Sequence, residues 1–299
     1  MDKVDITLCR LLLSNSRLSY RELADKLNLS VTAVHSRIQS LMNAGVIRHF
    51  TAKISLSVLK AVPVVIFGLS KIGLVKGLES RLANHGSIYW LAIGSGNMVY
   101  VGAYLKGVNE LGSIVQYLKE EAKLLEPTVG IVPLPNIVST EVGSSNLVLH
   151  DLDYKIIRCL KDNSRKTISE AAYELNVSAK TLHRRLSRMM KLGLIELSME
   201  WYPDRSNDII TVFHINVKPE ADKYFIGHLF EKYPSNMIFY WEFSNILNFY
   251  LAFFWASAMK EVHAIREGME NERMIQSVSP NILYTGYIFE TWRDRLLEM

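Results

Sequence analysis

Cysteine is nearly missing from this chain of 299 residues: there are two, Cys9 and Cys159. Two thiols cannot build a disulfide framework, nor a metal site by themselves, and both read as small buried hydrophobes on helices. No apolar run approaches the ~18 residues that a membrane-crossing helix needs. The opening "MDKVDITLCRLLL" places acids ahead of its apolar segment and offers no small-residue cleavage site, so no secretory signal is read there. These absences point to the cytoplasm and away from a membrane. A glycine-rich phosphate cradle is also missing, since "GSGN" at Gly94–Asn97 is too short and does not lie between a strand and a helix. Metal-ligand spacing is absent, as is any paired acid–base or nucleophile constellation. The expectation is no cofactor, no metal and no enzyme.

One absence is local. Between Ser178 and Gly193, "SAKTLHRRLSRMMKLG", there is no Asp or Glu, while Lys180, Arg184, Arg185, Arg188 and Lys191 are all cationic. A solvated surface helix usually interleaves acids with bases in i,i+4 pairs. The chain as a whole is only mildly basic, with net charge +4 and a sequence pI of about 8.9. Residues 1–50 carry net +3 and residues 151–195 net +5, so the remainder is acidic. Positive charge is concentrated where phosphate neutralisation would be needed.

The basic stretch belongs to a repeat. Residues 5–47 align without a gap on residues 153–195, with 16 of 43 positions identical. The identities include Asp5/Asp153, the Asn-Ser-Arg triplets starting at Asn15 and Asn163, Asn28/Asn176, His35/His183, Arg37/Arg185 and Gly45/Gly193. That is a duplication. Each copy reads as three helices. Ser19 or Thr167, followed three residues later by Glu22 or Glu170, is a capping box for the second helix. A short turn comes next, and Ser30 or Ser178 caps the third helix. Val34, Ile38 and Leu41, or Leu182, Leu186 and Met189, give that helix a core face at helical spacing. Gly45 and Gly193 stand where a helix C-terminus favours a left-handed residue.

Helix, short turn and helix with a polar outer face is helix-turn-helix geometry, whose third helix enters the major groove. The expected base contacts are Thr32, His35 and Ser36 in the first copy, and Lys180, Thr181, His183 and Arg184 in the second. The expected phosphate contacts are Arg37, Arg48, Arg184, Arg185 and Arg188. Arg37 and Arg185 lie near the core-facing border, so an alternative for them is helix packing or a salt bridge.

The segments after each copy also match. "AVPVVIFGLS", "KGLESRLANHG", "SIYWLAIG", "NMVYVGAYLKG", "NELGSIVQYLKEEAKLL" and "TVGIVPLP" read as β-α-β-β-α-β. "IITVFHINVK", "EADKYFIGHLFEKYP", "NMIFYWEF", "ILNFYLAFFWAS", "MKEVHAIREGMENERM" and "ILYTGYIFETW" repeat that order. This is the ferredoxin-like arrangement, with helices on one sheet face and the other face in need of a cover. Strands apolar on both alternations support a sheet buried on both sides. The predicted fold is α+β: two helix-turn-helix, winged-helix-like domains at 1–50 and 150–200 alternate with βαββαβ domains at 51–136 and 201–299. A linker at 137–149 is predicted between the halves. The wider stretch from Asn136 to His150 spans about 50 Å if extended, enough for an intrachain pseudo-dimer, which could pair further as a homodimer.

In three places the sequence resembles the Lrp/AsnC (feast/famine) transcription regulators. These are the "NSR" before the second helix, the third helix with Arg37 or Arg185 running into "LMNAGVI" or "MMKLGLI", and the βαββαβ domain after it. The resemblance covers nearly the whole chain, but twice. It implies double-stranded DNA as partner, dimerisation through the sheets, and a small-molecule effector such as an amino acid. The family's effector loop maps onto Gly94, Ser95, Gly96 and Asn97, where Asn97 replaces an expected aspartate; the second copy, Asn245–Asn248, has lost the glycine as well. Asparagine cannot provide a charge-assisted bond to an ammonium group. The competing reading of this loop is a plain hairpin turn. Two further alternatives remain. The layout also resembles sirohaem decarboxylases, which hold a polycarboxylate tetrapyrrole in a histidine- and arginine-rich pocket; the candidates here would be His85, His214, His228, His263, Arg81, Arg266 and Arg273. The other is a co-regulator in which one helix-turn-helix no longer binds DNA.

Overall fold

The computed structural model describes residues 1–71, 77–134, 148–222 and 224–298. Lys76, residues 135–147 and Lys223, which belong to segments read from the sequence, lie outside them; so does most of the expected linker.

Each repeat begins with three helices: α1 (Lys3–Ser14), α2 (Tyr20–Leu27) and α3 (Val31–Asn43), then α6 (Asp151–Leu160), α7 (Ile168–Glu174) and α8 (Ala179–Lys191). The capping boxes form as read, with Ser19 accepting from Glu22 N and Thr167 from Glu170 N. Asn28 and Asn176 close α2 and α7 in the left-handed region, at φ 54° and 52°. Asparagine tolerates that region better than most residues, which accounts for its presence in both copies.

Each trio leads into a strand that sequence reading did not anticipate. Strand β1 (Ile47–Ile54) pairs antiparallel with β6 (Ile195–Trp201), so the strand that would begin a wing is spent on its counterpart from the other repeat. The pairing is an exchange. Ala52 and Ile54 of β1 pack into the core of the second helix trio, while Met199 and Trp201 of β6 pack into that of the first. At the centre the two Asn-Ser-Arg triplets meet. Ser16 Oγ lies 2.6 Å from Ser164 Oγ, both buried. Arg17 donates to the carbonyls of Ser164 and Lys166, and Arg165 reciprocally to those of Ser16 and Leu18, at 2.6–2.9 Å. The two halves are thus related by a pseudo-two-fold axis.

The βαββαβ halves form two four-stranded half-sheets of one continuous eight-stranded sheet. The first has β5 (Thr128–Ile131), β2 (Val62–Leu69), β4 (Met98–Leu105) and β3 (Ile88–Gly94), in that order. The second has β10 (Ile275–Ile288), β7 (Ile209–Val217), β9 (Phe249–Ala256) and β8 (Met237–Glu242). Helices α4 (Leu78–Ala83) and α5 (Leu111–Glu121) belong to the first half, and α9 (Phe225–Lys232) and α10 (Met259–Glu270) to the second. Alternate residues on β2 face opposite ways: Val64 and Ile66 join the cluster with α4 and α5, Val65 and Phe67 the cluster shared with the second sheet. The expected cover for each sheet is therefore the other sheet.

The seam between the sheets is unequal. Strand β10 is 14 residues long; its first part pairs with β7, and Leu283–Ile288 crosses to β3. The sequence reading started this strand at Ile282. Pro280 is tolerated there because that stretch pairs with β7 on one side only. The matching strand β5 stops after four residues, before Pro133, which has no N–H to give. Ile131 is met instead by the turn after β8: its N–H donates to Asn245 Oδ1, and its carbonyl accepts from Ser244 N. A short C-terminal helix, α11 (Trp292–Arg295), closes the chain. Its buried Arg293 donates to Ile54 O at 2.7 Å and pairs with Glu196 at 2.6 Å, fastening the β1–β6 ribbon.

Between the sheets, the Tyr100 hydroxyl and His214 Nε2 are 2.7 Å apart among Phe67 and Phe249. Burial pushes the His214 imidazole down to about 4. From the ordinary value of about 6.5 down to about 4, the unfolded chain takes up a proton that the folded chain refuses, so stability falls as pH drops through that window. His214→Gln keeps a partner for Tyr100 and is expected to flatten urea-unfolding stability against pH there; an unaltered slope would place the charge elsewhere. Arg165→Met, which removes two cation–carbonyl bonds, is expected to cost roughly 2–4 kcal/mol by the same measurement.

Candidate nucleic-acid interface

The outer faces of α3 and α8 are set by their buried faces. Val34, Ile38 and Leu41 are buried on α3, and Leu182, Leu186 and Met189 on α8. Thr32, His35, Ser36, Gln39 and Asn43 are consequently exposed on α3, and Lys180, His183, Arg184, Ser187 and Lys191 on α8. Lys180, Arg184 and Lys191 make no ion pair among the described residues. With no acid on α8, their field is opposed by nothing on the same helix.

The remaining cations are placed differently from expectation. Arg37, expected at phosphate, is committed to the first helix: it donates to Asp2 at 2.8 Å and to Asp5 at 2.7 Å, and these bonds raise its pKa. Arg185 takes the matching position beside Asp153, at 3.4 Å, and Arg188 also reaches Asp153, at 3.5 Å. Asp153 is fully buried, so its charge requires these partners. Arg188 additionally donates to the Val148 carbonyl. The identities Asp5/Asp153 and Arg37/Arg185 are therefore explained by an ion pair that braces the third helix on the first. Thr181 is occupied with the N-cap, its Oγ1 2.9 Å from Ser178 Oγ. His35 is exposed with its ring against Tyr20, at 5.2 Å. Arg48 is exposed on β1, 3.5 Å from the Tyr202 hydroxyl.

The loop Gly94–Asn97 is a hairpin turn between β3 and β4 and is already engaged. Ser95 Oγ accepts from Ile282 N at 3.2 Å, and a Cβ on Gly94 would stand 3.3 Å from the Ile282 carbonyl. Gly96 and Asn97 both adopt φ 63°, and Asn248 in the second half adopts φ 59°. Left-handed geometry thus accounts for asparagine at both positions.

Residues 1–48 and 149–196 each match the family model described as winged helix-turn-helix DNA-binding. Each half of the chain begins with a winged helix-turn-helix domain. A stretch of 55 residues is 46% identical to an HTH-type transcriptional regulator of Pyrococcus furiosus, covering 18% of this chain and 37% of that protein. The alignment spans only about a third of that relative's length. Among solved structures, the siroheme decarboxylase NirDL matches over 99% of this chain and 97% of its own, with TM-score 0.59 and 12% identity. That likeness shows a shared fold. The leucine response regulatory protein LrpA of Mycobacterium tuberculosis covers 46% of this chain and 94% of its own, at 20% identity and TM-score 0.33. The matches to the family model thus fall once in each repeat, on its three helices.

The two kinds of arginine are separable by experiment. Arg37→Met should lower unfolding stability by about 1 kcal/mol, the scale of a part-exposed ion pair. Arg184→Ala should stay within about 0.5 kcal/mol of wild type. Equal losses in urea titrations would contradict this division.

Proposed function

We propose that the protein is a DNA-binding transcription regulator whose two winged helix-turn-helix domains, held as one pseudo-dimer, read two unlike half-sites. The observation that carries this reading is the contrast between α8, with Lys180, Arg184 and Lys191 unopposed, and α3, whose exposed face is neutral apart from His35. Arg or Lys pairs preferentially with guanine in the major groove, whereas Ser and Thr discriminate less. The second domain therefore supplies most of the affinity, through Lys180, His183 and Arg184 at base edges and Lys191 at phosphate. The first adds weaker contacts from Thr32, His35 and Ser36, with Arg48 at the backbone. The regulators to which the helix-turn-helix segments are similar support the same partner. The sheet domains serve assembly and small-molecule sensing.

An enzymatic reading would borrow the substrate of NirDL, solved also with an iron-uroporphyrin III analogue. Several of the residues that would have to bind its carboxylates are spent locally here. Arg81 pairs with Glu121, Arg266 with Glu270 and His263 with Glu267, while His214 faces Tyr100. These engagements favour the regulator.

The test is DNA affinity against salt concentration. Wild type should bind duplex DNA with a steep slope, and Lys180→Ala/Arg184→Ala/Lys191→Ala should lose about 2–3 units of it. Selection from random duplexes should return an asymmetric site. A palindrome built from one motif, or a slope unaffected by the triple substitution, would defeat the reading.

A further inference from the structure

The C-terminal helix occupies a seat whose twin is open. Trp292 N donates to Gly86 O and the Trp292 indole to Tyr104 O, each at 2.7 Å, so α11 starts against the first half-sheet. Leu297 then enters the core of the second helix trio, where it is 2% exposed. Glu298 pairs with Lys161, just past α6, at 3.1 Å. The last residues thus fill the space between α6 and the half-sheet beside it.

The pseudo-two-fold axis sets α1 beside the second half-sheet in the matching way, with Leu13 at the repeat position of Lys161 and Arg10 at that of Arg158. Here the space is an open groove of about 600 Å³. One wall is α1, through Arg10, Leu11 and Leu13, and the other is α9 and β8, through Phe230, Phe239 and Tyr240. Strand β8 is also the last in the sheet. Among the described residues no backbone hydrogen bond reaches Ile238–Phe243 from any element but β9, whereas its twin β3 is bonded on both sides.

Charge and the filled seat together describe the occupant. The Arg10 guanidinium lies 4.0 Å over the Phe230 ring and donates to the Pro234 carbonyl, and no carboxylate reaches it among the described residues. Burial lowers its pKa, as expected for a cation held partly away from water with no anion beside it. A carboxylate from outside would supply the charge-assisted bond. In the filled seat, two adjacent leucines, Leu296 and Leu297, precede the acid Glu298. The stretch that follows β5 toward α6 is built differently: its residues 139–146, "STEVGSSN", hold Val142 as their one large apolar side chain. Nor does a second copy have its α11 to lend, because Leu297 is buried in its own seat.

We propose that this groove docks a peptide segment of another protein, in which two adjacent leucine-like side chains stand next to a carboxylate. The apolar pair enters between α1 and β8, and the carboxylate meets Arg10. This is the helix-in-groove mode of recognition, with apolar anchors giving affinity and one charge giving selectivity. The site does not depend on the DNA reading.

The test uses the full chain and a fluorescein-labelled peptide, Glu-Leu-Leu-Glu-Leu-Leu-Glu with blocked ends, beside a twin in which lysine replaces every glutamate. Fluorescence anisotropy should show saturable binding of the acidic peptide, at least about tenfold tighter than of the basic one. Arg10→Met keeps an apolar stem over Phe230 and should level the two affinities. Thr7 lines the groove, and its hydroxyl bonds only within α1, to the Lys3 carbonyl. Thr7→Trp should therefore fill the groove and abolish binding with an unchanged urea midpoint. No saturable binding below the millimolar range, equal affinity for both peptides, or undiminished binding in Thr7→Trp overturns the proposal. Concentration-dependent dimerisation of the free chain that Thr7→Trp abolishes puts a second copy in the groove and overturns it as well.

Discussion

The antiparallel pairing of β1 with β6 is the constraint on which the rest of the molecule depends. Each strand leaves its own helix trio and completes the core of the other, so neither trio is closed alone. The Ser16–Ser164 contact and the reciprocal arginine–carbonyl bonds lie at the centre of this exchange. They convert two similar sequences into one body with a two-fold character. The orientation of α3 relative to α8, and hence the spacing of any two half-sites they read, is inherited from that ribbon and not from the sheets.

The sheets inherit the same symmetry and then break it. One seam is a ladder made by a 14-residue strand; the other is a turn leaning on a four-residue strand that ends before a proline. The ladder side also carries an arch, Trp201–Asp204, whose Asp204 reaches Thr285 and Gly286 of β10. Asymmetry in the seam therefore accompanies asymmetry in the recognition helices. The cationic helix and the arch belong to the same repeat.

Much of this was legible in the sequence because local rules coincided. The gapless repeat, the Ser/Thr-x-x-Glu caps and the period of Val34, Ile38 and Leu41 each pointed to the same three helices. The doubly apolar strands announced a sheet covered on both faces, and that cover proved to be the other half. What stayed hidden was relational. Nothing in "IRHFTAKI" states that its partner lies about 150 positions away, since register is decided by which faces need burial in the assembled molecule. The identity of Arg37 and Arg185 admitted a DNA contact or a salt bridge, and the structure supplies an ion pair with the first helix in both copies. The Asn-Ser-Arg triplets stood out only as matching positions of the repeat, and they prove to be the contact between copies.

Carrying both helix-turn-helix units on one chain has a kinetic consequence. A regulator assembled from separate subunits must first find its second copy, so its active fraction collapses on dilution. Here the second unit is always present at a concentration set by the fold, and pairing is independent of abundance. Under the proposed function, occupancy of a sparsely filled DNA site would then rise in proportion to the number of chains, without a dimerisation threshold. The two units are inherited together but mutate separately, which leaves each third helix free to carry its own charge: five cations on α8 against Arg37 alone on α3.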